Sequence, residues 1–72
     1  MENFIIRAYG RTELAQQYSP NIGPHAAWQK LKTWMAIHPT LMQQLTTEGY
    51  TPRQRTFTPA QVALITAALG EP

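Results

Sequence analysis

His25, Gln29 and Thr33 follow one another at four-residue steps in the most regular stretch of the chain. In a helix that spacing sets the three side chains on one strip. Gln can bond an adenine edge in two places, and Thr offers a hydroxyl or a methyl, so these types suit contact with DNA bases. Lys30 and Lys32 fall about 100° to either side of the centre of the opposite, apolar arc. They flank the strip, where lysines reach phosphates on opposite walls of a groove. The same lysines equally fit an ordinary amphipathic helix, with stems along apolar surface and heads in water.

A second basic stretch, "PRQRTF", carries Arg53 and Arg55 between two predicted helices. It reads either as the tip of a wing that follows a nucleic-acid backbone or as a solvated turn whose arginines maintain solubility. Enzymatic chemistry has no comparable pattern. Glu2, Glu13, Glu48 and Glu71 are scattered, and the two histidines, His25 and His38, have no further ligands spaced to complete a zinc site. No phosphate loop, nucleophile motif or metal signature occurs. The expectation is a protein that is not an enzyme, with no cofactor and no small-molecule substrate.

Six basic residues against four acidic ones leave a net charge of +2, which permits a nucleic-acid partner without requiring one. The absence of cysteine removes disulfides and thiolate metal sites. "MENF" has an acid where a signal peptide would be basic, and no apolar run approaches the ~20 residues of a membrane span. A cytoplasmic protein without a membrane partner is expected. The 72 residues read as one domain, near the size at which a single core is marginal.

The elements that must position these residues follow from local signals. "FIIRAY", residues 4–9, is β-branched and aromatic and reads as a strand. With Gly10 as N-cap, Glu13 falls at N3 of a short helix that stops before Pro20. Tyr9 and Leu14 then have the spacing of a hydrophobic staple. Pro24 opens a second helix running to Ile37, with Ala27, Trp28, Leu31, Trp34 and Met35 on its core face. His38 falls on the buried side at that helix's end and reads as an end-capping or packing residue. Pro39 starts a third helix, and Gly49 is placed as its left-handed C′ residue, with Tyr50 reaching back to Leu45. Arg55 to Phe57 are extended. Thr58, Pro59 and Gln61 form a capping box for a last helix, with Phe57 and Val62 repeating the staple and Ile65, Ala68 and Leu69 completing its inner face.

"RAYGRTELA" and "RTFTPAQVA" therefore share a strand-to-helix spacing rather than a duplicated catalytic pair. Arg7 and Arg55 are expected to be neighbours on a two-stranded ribbon. The last helix, "PAQVALITAAL", contains no charge, and Ala60, Ala63, Leu64 and Ala67 lie partly or wholly outside its core arc. Such a face fits either burial within the chain or contact with a second chain.

From "FIIRAYGRTELAQQYSP" and "HAAWQKLKTWM" to "GY", "RTFTPAQV" and the closing "LG", the chain resembles a family of short Bacteroides-type bacterial proteins of unknown function. The resemblance spans nearly the whole sequence and implies no ligand or catalytic residues. More distantly, "TELAQQYSP" and "TFTPAQVALI" are similar to segments of MerR and excisionase-type winged helix-turn-helix domains. That similarity implies DNA contact by the second helix and a wing. "AIHPTLMQQLTTEGY" departs from the pattern as an added, nearly uncharged helix.

The expected architecture is α+β and mostly helical: four helices with a small two-stranded ribbon, winged helix-turn-helix-like. The leading functional expectation is an accessory protein binding double-stranded DNA through helix 24–37 and loop 51–56. The alternative is a homodimerising or protein-interaction module using helix 59–69, without nucleic acid.

Overall fold

The computed structural model describes residues 4–72. Its elements are β1 (Tyr9–Gly10), α1 (Arg11–Tyr18), α2 (Pro24–Ala36), α3 (Pro39–Thr47), β2 (Thr56–Phe57) and α4 (Pro59–Leu69). Four helices and one antiparallel ribbon give the mostly helical α+β arrangement that the sequence predicts.

Helix starts follow capping chemistry. The Gly10 N–H donates to the Glu13 carboxylate at 3.1 Å, so α1 is capped from its own first turn. At α4 the box is reciprocal: the Gln61 N–H donates to Thr58 Oγ1 at 3.2 Å, and the Thr58 N–H to Gln61 Oε1 at 3.0 Å. Proline opens α2, α3 and α4, where a missing N–H costs nothing. His38, half-buried, is the N-cap of α3 through its backbone carbonyl, which accepts from the Met42 N–H at 3.1 Å.

The ribbon is shorter than the strand expected over residues 4–9. Tyr9 pairs with Phe57 and Gly10 with Thr56, and the Arg11 N–H donates to the Arg55 carbonyl at 2.8 Å. Extending β1 towards Phe4 would need partners after Phe57, where Thr58 and Pro59 already begin α4. Ile5 and Ile6 consequently stay 66% and 45% exposed. Phe4 still stacks on Tyr9 at 5.3 Å between centroids, and the Tyr9 hydroxyl donates to the Ile5 carbonyl. This register sets Arg55 against Arg11 rather than Arg7, so the expected Arg7–Arg55 neighbourhood does not form.

The core joins Leu14 and Ala15 of α1, Ala27, Trp28, Leu31 and Met35 of α2, and Leu41 and Leu45 of α3. Tyr9, Tyr50, Phe57, Val62 and Ile65 complete it. Trp34, expected in that core, is only half-buried and packs edge-on against Tyr18 at 6.2 Å. α4 is rotated from the expected face: Gln61, Val62, Ile65 and Thr66 are buried, while Ala68 is exposed and Leu69 half-buried. Thr66 tolerates burial because its hydroxyl donates to the Ala63 carbonyl at 3.1 Å.

α3 ends as its sequence predicts. The Tyr50 N–H donates to the Leu45 carbonyl at 2.9 Å and the Gly49 N–H to that of Thr46 at 3.0 Å, the two bonds of a Schellman ending. Gly49 has φ +85°, and a Cβ there would meet nothing within 4 Å. The cost of Gly49→Ala is then conformational, about 1–2 kcal/mol, and a urea titration should show it as a lowered midpoint with an unchanged slope.

Tyr18 ties the end of α1 to the end of α4. Its hydroxyl donates to the Gly70 carbonyl at 2.5 Å. Burial, aided by the negative Glu71, pushes this phenol up from 10.0 to about 12. The group is neutral when protonated and its folded pKa is raised, so its stabilisation is complete below pH 10 and lost as pH rises through about 12. Tyr18→Phe is expected to lower stability at pH 8 by about 1 kcal/mol, read from the shift of the urea midpoint. It should also remove part of the alkaline loss between pH 10 and about 12, leaving the part due to Tyr50, which burial also raises.

Candidate functional site

α2 is packed along one side by α1 and α3 and open along the other. Its open side carries His25, Gln29 and Thr33, all exposed, so the added helix α3 leaves the predicted strip uncovered. The Thr33 hydroxyl donates to the Gln29 carbonyl at 3.0 Å, which orients its methyl and leaves its oxygen free to accept.

The two lysines diverge as predicted, and each has an aromatic seat. Lys30 Nζ lies 5.2 Å from the centroid of Trp34, on the flank where Trp34 meets Tyr18. Lys32 Nζ lies 5.9 Å from that of Trp28, on the flank where Trp28 meets Phe57 at 6.1 Å. A cation over an indole face gains about 0.5–1 kcal/mol when exposed. The contacts therefore bias where the ammonium groups stand without binding them tightly.

Arg53 is exposed on a turn closed by the Gln54 N–H to the Thr51 carbonyl at 3.0 Å. The turn is fixed from behind, because the Gln54 side chain donates to the Thr56 carbonyl and exchanges hydrogen bonds with the Gln61 amide. Arg55 is exposed one residue before β2.

Between α2, α3 and this turn lies a cleft of about 260 Å³. Arg11, Lys32 and Pro52 border it, so Lys32 and Pro52 of this turn share one side of the molecule, while Lys30 stands on the opposite flank of α2. Arg11 was not among the sequence candidates. Its guanidinium carbon lies 5.3 Å from the Trp28 centroid. A basic first-turn residue directly after a ribbon strand is the signal that marks it.

The remaining cation near this end is neutralised. Arg7 donates to the Glu13 carboxylate at 3.0 Å and lies 3.7 Å over the Tyr9 ring. That hydrogen bond, followed by the one from the Gly10 N–H, holds the Glu13 carboxyl below its ordinary range. Among the described residues this is the one ion pair, and no three of His, Cys, Asp and Glu cluster as metal ligands would. No helix of the described residues is long and apolar enough to cross a membrane.

On α4, Ala60, Ala63 and Ala67 are exposed and Leu64 is half-buried against the core. They form a continuous uncharged face on the opposite side of the helix from Val62 and Ile65.

Helices capped by short local motifs and locked by a two-residue ribbon define a small α+β domain with a basic, open α2 face. The chain belongs to the family described as a domain of unknown function (DUF4248), whose pattern matches residues 5–72. No curated protein and no solved structure matches it significantly.

Proposed function

We propose that this protein is a small accessory DNA-binding protein of helix-turn-helix type, with α2 as the helix that enters the groove. The observation that carries this reading is the open His25–Gln29–Thr33 strip, flanked by Lys30 and Lys32 on their tryptophan seats. Arg53 and Arg55, presented by the braced turn beside Lys32, extend the basic surface as a wing would. A cytoplasmic location accords with this role.

The test is fluorescence anisotropy with a labelled random-sequence duplex at two salt concentrations. If all four basic side chains meet phosphates, raising salt fourfold from ~50 mM should weaken binding about a hundredfold. Lys30→Gln with Lys32→Gln should reduce the salt slope by about two. Absence of binding at ~50 mM salt, where phosphate contacts are strongest, rejects the proposal.

The exposed, uncharged face of α4 favours a second reading, a homodimer formed through Ala60, Ala63 and Ala67. Sedimentation velocity over a wide concentration range tests it, with Ala63→Glu expected to abolish any dimer. A strict monomer removes this reading. The two are compatible, since dimers of helix-turn-helix domains read paired half-sites.

A further inference from the structure

The cleft beside α2 has a chemistry of its own. Its floor is apolar and polarisable, made by Trp28, Met35, Met42 and Tyr50. Methionines adapt to irregular shapes and make favourable sulfur contacts with rings. The charged groups that border it are Arg11 and Lys32, and among the described residues no carboxylate lines it. Both cations stand over the Trp28 ring, at 5.3 and 5.9 Å, rather than in ion pairs. A ligand with its own negative charge is therefore favoured on this surface. Arg11 and Tyr50 line the same cleft; burial raises the Tyr50 phenol's pKa, and the Arg11 charge offsets part of that rise.

Size narrows the ligand further. At about 260 Å³ the cleft lies just below the ~300 Å³ at which ligand pockets usually begin. One ring with a short acidic tail falls within that volume.

We propose that this cleft binds a small carboxylic acid bearing one aromatic ring, with the carboxylate between Arg11 and Lys32 and the ring against Trp28 and the two methionines. The guanidinium of Arg11 offers paired N–H donors to the carboxylate, and Lys32 adds a point charge. This inference goes beyond DNA binding and does not rest on it.

The test follows the two indole N–H resonances in ¹⁵N-labelled protein, assigned with Trp34→Phe, during titration with 3-phenylpropionate. A parallel titration uses 3-phenylpropanol, which has the ring without the charge. The expected result is a saturable shift of the Trp28 resonance, with the acid binding about tenfold more tightly than the alcohol, the worth of a charge-assisted hydrogen bond. Arg11→Gln with Lys32→Gln should erase that preference while leaving the alcohol's binding in place. No saturable shift at Trp28, a shift confined to Trp34, or equal binding of acid and alcohol overturns the proposal. The comparison in the unaltered protein decides the matter even if the double variant does not fold. Because no nucleic acid is present, failure here is distinct from failure of the DNA titration.

Discussion

Phe57→Ala is expected to leave the chain close to half unfolded at 25 °C, the largest single effect in this molecule. Phe57 is 1% exposed and joins four elements. It pairs with Tyr9 across the ribbon, stacks on Tyr50 at 5.6 Å after α3, meets Trp28 of α2 at 6.1 Å, and precedes α4. Truncating a buried Phe costs about 3–5 kcal/mol, and each lost aromatic pair can add about 0.5–1.5 kcal/mol. Against that stands a total of about 4–11 kcal/mol, from ~0.05–0.15 kcal/mol for each of 72 residues. Urea titration followed by near-ultraviolet circular dichroism measures the loss. The variant should also lose the cleft, because Trp28 and Tyr50, which line it, both pack against this ring. Phe57→Leu keeps much of the volume and should cost clearly less. A Phe57→Ala loss below about 2 kcal/mol would show that the core closes over the gap and that Phe57 does not hold these four elements together.

The second large effect is expected at Gln61. Its side chain is 1% exposed, yet both of its polar atoms are hydrogen-bonded. The amide donates to the Glu48 carbonyl at 3.1 Å and to Gln54 Oε1 at 3.4 Å, while its oxygen accepts from the Thr58 N–H and from the Gln54 amide. One side chain thus caps α4, holds the end of α3 and braces the turn that presents Arg53. Gln61→Ala deprives these groups of partners and opens a void, at about 1–3 kcal/mol for each group that water does not reach. Glu48 and Thr58 lie at exposed positions and can rehydrate in part, so a total of about 2–4 kcal/mol is expected from urea midpoints.

Gln61→Glu separates capping from bracing. Its carboxylate still accepts from the Thr58 N–H but has no donor for the Glu48 carbonyl. Facing that carbonyl in a buried site, the new carboxyl has a folded pKa raised above its unfolded value of about 4.3. Stability is then fullest at low pH and falls as pH rises through the folded pKa. A variant with no such acid-side maximum relative to the unaltered protein would show that the amide's donor bonds contribute little.

Gln61 also marks the boundary of what can be read from a linear chain. Glu13 and Gln61 occupy the same N3 position in the two echoing segments, and both cap their helices. Glu13 remains exposed beside Arg7, whereas Gln61 is buried against α3 and the 51–54 turn. Capping is a contact across three residues and is encoded where it occurs. Burial depends on elements that arrive from elsewhere, and nothing within "TPAQVA" states that Glu48 and Gln54 will converge on it.

The candidate sites divide in the same way. The open strip of α2 and its flanking lysines were legible because helical periodicity alone sets which side chains share a face. The cleft was not, since Arg11, Lys32, Met42 and Tyr50 come from α1, α2, α3 and the loop that follows it. By itself the sequence determined the helices, their caps and the Schellman ending at Gly49, all of which rest on interactions between near neighbours, and it marked the two extended segments as such. Tertiary structure decided the length of the ribbon, the rotation of α4, the burial of Gln61 and the meeting of two cations over Trp28. Each of these is set by which surfaces exclude water together, and that depends on the whole chain at once.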